Sequence, residues 1–188
     1  VVATDESPRT DTSLEALSRL RPAFVDEAPA NVEEHVVTAG NAPGLNDGAA
    51  AIVVTSLEYA KAHGLEIDAV ISAYASGATV PRDLFFAPTV AVERLLKMQG
   101  TAVDDYEIIE LNEAFPVQAI ANIRGLKLNE ERVNVHGGAI ALGHPLGCSG
   151  SRISGTLINL MESQDVSLGL ATMCIGLGQG IATVFERV

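Results

Sequence analysis

"YEIIELNEAFPVQAIANIRG", Tyr106 to Gly125, changes its period halfway along. "YEIIELN" is short, apolar and rich in strand formers. "EAFPVQAIANIRG" then reads as a helix with Pro116 in its first turn, where a missing N–H costs nothing. The junction is a strand feeding directly into a helix, and that unit repeats on either side.

Upstream, "AVISAYASG" (69–77) predicts a strand, and "TVAVERLLKMQG" (89–100) an amphipathic helix stopped by Gly100. Val92, Leu95 and Leu96 form its inward face. Downstream, "RVNVHG" (132–137) predicts a strand. "GCSGSRISGTLINLMES" (147–163) predicts a helix, with Ile153, Leu157, Leu160 and Met161 at helical spacing. "SLGLATMCIG" and "GQGIATVFERV" are apolar strands joined through glycine, hence a hairpin. Alternating strands and helices call for an α/β layered fold. The expected core is a mixed, mostly parallel five-stranded sheet covered by helices.

The first 65 residues read differently. A polar opening with a Ser7-Pro8 turn signal precedes a short helix at about 13–20 and an irregular stretch. In "TAGNAPGLNDGAAAIVVTSLEYAKAHGL" (38–65), Asn46 or Asp47 can cap a helix running to His63, ended by Gly64. Its Gly-Ala-Ala-Ala start suits close approach to other backbone, so the helix is expected to be buried. Three segments result: 1–38 as the remnant of a loop domain, 39–65 as the last helix region of a preceding domain, and 66–188 as a layered domain with its own core. The chain opens on a valine and a polar loop, and reads as starting within a longer protein.

Composition narrows the function. Net charge is −12, which disfavours a nucleic-acid partner, since that class needs a basic face. No apolar run reaches the length of a membrane span, and no stretch resembles a signal peptide. Two cysteines make no disulfide framework, so free thiols in a reducing, cytoplasmic compartment are expected. With no Trp and few aromatics, Ala, Val, Ile and Leu must build the core.

Three segments fall at strand ends, where an open α/β sheet gathers its chemistry: "LNEAFP" (111–116), "GHPLGCSG" (143–150) and "CIGLGQG" (174–180). Each offers one polar or reactive side chain in apolar surroundings. Asn112 is either a helix N-cap or an amide that fixes a water or a carbonyl. His144, between Gly143 and Pro145, is either a buried structural imidazole or a base. Cys174 is a core cysteine or a thiol beside backbone N–H groups able to bind an oxyanion. Glu113 reads as a first-turn acid of the following helix, and Cys148 as a packed thiol at a helix start. His136 and His144 have no further ligand set, so no metal site is expected.

"NEAFP", "VNVHGGAIALGHPLGCSGSRI" and "MCIGLGQGIATVFERV", in that order and spacing, resemble the C-terminal half of thiolases of the acetyl-CoA C-acetyltransferase type. "DESPRTDTSLEALSRLRPAF" and "TAGNAPGLNDGAAA" resemble the stretch just upstream in that family. The resemblance implies half of an αβαβα layered fold and a reversible Claisen condensation or thiolysis by ping-pong acyl-cysteine chemistry. A coenzyme A thioester would be substrate, with no permanently bound cofactor. It implies that His144 activates the nucleophilic cysteine and helps bind the thioester oxygen. Cys174 would act as acid and base, Asn112 would hold a water in a first oxyanion hole, and the Gly176 N–H would serve a second. Glycine N–H groups and His144 are expected to bring the Cys174 thiol, ordinarily protonated, toward neutral range.

By the same alignment Arg9, Phe24, Pro43, Leu84 and Phe115 would line the coenzyme A path. Pro43 stands where the family often has serine, and Leu177 replaces a frequent glycine. Neither Cys148 nor Cys174 matches the nucleophile. The resemblance places that cysteine upstream of Val1, in an N-terminal half that would be this chain's partner. A dimer or tetramer is the family's common assembly. Ketoacyl synthases pair the nucleophile with two histidines, or with His and Asn, and lack Cys174. A thiolase-like scaffold subunit without catalysis is the remaining alternative.

Overall fold

A computed structural model of the chain describes residues 3–5 and 7–188. Val1, Val2 and Glu6, which belong to the polar opening and to the segment 1–38, lie outside the described residues. The elements follow in chain order as α1 (Leu14–Ser18), α2 (Leu57–Ala62), β1 (Val70–Ala78), α3 (Ala87–Gln99), β2 (Ile108–Leu111), α4 (Pro116–Leu126), α5 (Ala139–Leu142), α6 (Ser149–Ser163), β3 (Leu168–Gly176) and β4 (Gln179–Glu186). None of these helices is long and apolar enough to cross a membrane.

The sheet order is β1-β4-β3-β2. β1 and β3 each pair antiparallel with β4, and only β2 with β3 is parallel. Helices cover it from both sides. α3 lays Ala91, Val92 and Leu95 against Ala73, Ala75, Leu170, Ala182 and Val184. α6 lays Ile153, Leu157, Leu160 and Met161 against Ile108, Ala171, Met173 and Phe185. The layered α/β class therefore stands, with core side chains almost all aliphatic, as the composition requires.

The strand count and direction differ from expectation: among the described residues there are four strands, mixed, with one parallel pair. "RVNVHG" does not become a strand. Val133 makes a single parallel bridge to Ile109. The next residue, Asn134, sits at φ +49°, where the ladder cannot continue. Its side chain takes over instead, its Oδ1 accepting from Leu111 N at 2.9 Å and its Nδ2 donating to Leu111 O at 2.8 Å. An amide thus does the pairing a fifth strand would have done.

The long helix expected from Asn46 or Asp47 to His63 is also shorter. Only Leu57–Ala62 is helical, capped by Ser56 and followed by Gly64 in the left-handed region. Residues 44–59 are exposed, contrary to the buried helix expected there. Ile52, Val53, Val54 and Thr55 are β-branched and poor at nucleating a helix without a surface to pack on. Within the described residues they have none.

Gly77 and Gly180 face each other across β1 and β4. A Cβ on either would stand 2.5 Å from α3 backbone, at Ala91 N and Ala87 C respectively. The pair lets the start of α3 rest directly on the sheet.

Candidate active site

β2 and β3 run parallel, so their C-terminal ends open on the same edge of the sheet. Asn112 follows β2, and its N–H donates to Thr172 O at 3.0 Å. Cys174 lies two residues past Thr172 on β3. The loop between α5 and α6 brings His144 to the same edge. Gly143, at φ +91°, turns the chain into that loop, and the Asn46 side chain occupies the space a Cβ would need. His144 N donates to Gly44 O at 3.0 Å, so the exposed upstream segment helps hold the loop.

A relay of hydrogen bonds sets the imidazole. Ser149 Oγ donates to Pro145 O at 3.1 Å. Its oxygen then accepts from His144 Nδ1–H at 2.6 Å. That tautomer leaves Nε2 with its lone pair, and Asn112 Nδ2 donates toward it at a long 3.4 Å. Burial lowers the His144 pKa below its ordinary value, and the positive charge of Arg152 lowers it further. The ring is neutral at neutral pH, with its basic nitrogen facing the amide.

Asn112 is 1% exposed and is not the N-cap of α4. That position belongs to Phe115. Its Oδ1 is buried with no hydrogen-bond partner among the described residues. Cys174 is half-buried, and neither His144 nor Asn112 hydrogen-bonds to its thiol. Burial pushes that thiol above its ordinary pKa, offset in part by its own backbone N–H. This reverses the expected lowering. The neutral His144 contributes no positive charge, so desolvation wins. Gly176 sits at a β-bulge after Cys174, at φ +103°. The two-residue turn beyond it places Leu177 at φ +50° and Gly178 at φ +85°.

Glu113 is not a first-turn acid of α4. Its carboxylate reaches across to accept from Ile140 N at 2.9 Å and from Asn134 Nδ2 at 3.0 Å. It serves the first turn of α5, the helix leading into the histidine loop. Cys148 is buried at the N-cap of α6.

Of the residues proposed for a coenzyme path, two meet. Phe24 and Phe115 pack edge to face with ring centroids 6.2 Å apart. Phe85, which carries no motif in the sequence, joins them at 5.3 Å from Phe115. Its only sequence signal is the Phe85-Phe86 pair. Leu84 is its half-buried neighbour in a 3-10 segment, Pro81–Phe86. Pro43 is half-buried beside Gly44, while Arg9 is exposed and forms no ion pair with the described residues. Ser149, Asn134, Glu110 and Arg152 also went unassigned as site residues. Only Ser149, at a helix start five residues after a histidine, had a readable signal. Among the described residues no three His, Cys, Asp or Glu side chains come together as a metal site.

The edge therefore holds a neutral imidazole whose Nε2 lone pair faces the Asn112 amide at a long distance, a buried amide oxygen without a partner among the described residues, and a protonated thiol on the next strand. Such a set can take, hold and return protons next to a carbonyl oxygen.

The thiolase C-terminal domain model matches residues 65–187, and the thiolase N-terminal domain model matches residues 1–58. The 3-ketoacyl-CoA thiolase of Idiomarina loihiensis is 54% identical over 190 aligned residues, covering 100% of this chain and 48% of the relative. That of Colwellia psychrerythraea is 53% identical with the same coverage. Among solved structures, the Bacillus anthracis acetyl-CoA acetyltransferase superposes with a TM-score of 0.89 at 38% identity, over 98% of this chain and 45% of that one. Human mitochondrial 3-ketoacyl-CoA thiolase gives 0.84 at 35%, also over 98% and 45%. The chain spans about half the length of the curated relatives it matches.

Proposed function

The chain belongs to the thiolase family, and from that premise we propose that it supplies the acid–base and oxyanion part of an acyl-CoA:acetyl-CoA C-acyltransferase. The reaction is the reversible thiolysis of a 3-ketoacyl-CoA, with acetoacetyl-CoA formed from two acetyl-CoA as the condensation case. The observation that carries the reading is the meeting of His144 and Asn112 beyond β2, with Nε2 left as the acceptor.

In thiolysis, a cysteine thiol contributed by an N-terminal half gives its proton to His144 Nε2. The resulting thiolate attacks the 3-keto carbon. The C2–C3 bond breaks, the acyl group stays on sulfur, and the departing C2 carbon takes the proton of Cys174. Coenzyme A thiol then gives its proton to the Cys174 thiolate and attacks the acyl carbon; the bond to the enzyme sulfur breaks, and that sulfur takes back its proton from His144. A nucleophile of this kind needs an adjacent base, because the thiolate and not the thiol attacks the carbonyl carbon. The raised pKa of Cys174 suits a group that must begin as an acid. The unpartnered Oδ1 of Asn112 supports its reading as the holder of a water that binds the carbonyl oxygen. The Gly176 N–H would serve the second oxyanion site.

The Phe24–Phe115–Phe85 cluster supports a surface for the coenzyme arm, with Leu84 and Pro43 beside it and Arg9 toward its phosphates. The match of the thiolase C-terminal domain model to 65–187 supports 66–188 as the C-terminal thiolase domain, with 1–38 and 39–65 read as the loop-domain remnant and the last helix region before it. A homodimer or homotetramer in a reducing, cytoplasmic setting completes the reading, with both cysteines as thiols.

The test is acetoacetyl-CoA thiolysis by this chain combined with an N-terminal thiolase half. Wild type should turn over, and His144→Ala should lose about 100-fold or more. No activity with any such half would instead favour a non-catalytic scaffold.

A further inference from the structure

Directly behind the Asn112–His144 pair lies a buried ion pair. Glu110, on β2 two residues before Asn112, has no solvent exposure. Arg152, on α6 one turn after Ser149, approaches it with Nη1 3.4 Å from Oε2. The Arg152 side chain is only 16% exposed. The pair is poorly satisfied: Glu110 Oε1 and Arg152 Nε and Nη2 are buried without partners among the described residues. A buried pair this loose is no gain in stability over aliphatic packing. Its placement is more telling. One partner belongs to the strand that leads into Asn112, the other to the helix whose first turn holds Ser149, the anchor of His144 Nδ1.

We propose that Arg152, braced by Glu110, is a positioning residue for the site: it fixes the start of α6 against β2, so that Ser149 and Asn112 hold the two nitrogens of His144 in place. The charged groups around Glu110 are Arg152 from α6 and Glu113 from the loop after β2. Around His144 the charged neighbour is Arg152. Glu113 is committed to Asn134 and Ile140 N, so it does not compete for the guanidinium. The inference rests on the reading of His144 as a base, but its test does not require turnover.

The test is an NMR titration of histidine in the full-length protein, with the His144 signal identified by its loss in His144→Gln. Arg152→Gln should raise the proton affinity of His144 about threefold or more, because the nearby cation is gone. Arg152→Lys, which keeps the charge, should leave it within about twofold of wild type. If Arg152→Gln does not fold, the double variant Glu110→Gln/Arg152→Gln removes the guanidinium without leaving a buried carboxyl unpaired, and should move the His144 titration in the same direction. A His144 titration unmoved by loss of the guanidinium, or moved equally by Lys and by Gln, overturns the proposal. A protein that shows the shifts but no thiolysis leaves this inference standing and refutes the proposed reaction.

Discussion

At the residue scale, Glu110 gives the sharpest consequence of burial. Desolvation pushes its carboxyl up to about 7 from 4.5, with Arg152 opposing and Glu113 reinforcing the rise. The folded chain keeps a proton that the unfolded chain has already released between those values. Its contribution to stability is therefore full below about 4.5 and is lost as pH rises through about 7. Urea unfolding at about pH 5 and about pH 8 should show the wild type losing more stability on the alkaline side than Glu110→Gln, which is neutral throughout. Equal pH slopes in the two proteins would contradict the burial account. His144, Asn112 and Cys174 were legible in the sequence because glycine, proline and strand ends frame them. Glu110 and Arg152 were not. A charged residue inside a strand or an amphipathic helix looks like surface until the opposite element is in place. Glu113 shows the same limit, since its partners lie beyond an intervening helix.

At the element scale, periodicity found nearly every strand and helix of 66–188, including the Pro116 start of α4 and the Gly100 stop of α3. It failed where a side chain replaced backbone pairing, at Asn134, and where a helix pattern had no surface to pack on, at 46–56. The β3–β4 turn carries a local conflict of its own. A two-residue hairpin with both central φ positive favours Asn-Gly, yet Leu177 holds the first place at φ +50° and is 81% exposed. A left-handed leucine costs about 1 kcal/mol and here gains little burial in return. Leu177→Gly should raise the unfolding free energy by about 0.5–1 kcal/mol, read as a higher denaturation midpoint, and Leu177→Val should lower it. A drop on Leu177→Gly would mean that the leucine packs on something beyond the described residues.

At the scale of the whole molecule, the two core clusters draw only on residues from Ala69 onward. Residues 44–59 lie exposed, although Gly44 and Asn46 reach the histidine loop. The sequence pattern could mark this division, because composition and periodicity both change near residue 66. It could not show how the upstream segment holds the histidine loop, since those contacts are made by isolated groups: the Gly44 carbonyl, the Asn46 amide and Gly48 against Pro145. The central claim is that His144 serves the nucleophile while Cys174 handles the carbon acid. α-Proton exchange of acetyl-CoA in deuterated water, followed alongside acyl transfer to the enzyme, separates the two roles in one experiment. With Cys174→Ala in the complete enzyme, exchange should vanish while acyl transfer persists. Exchange at the wild-type rate in that variant would contradict the account.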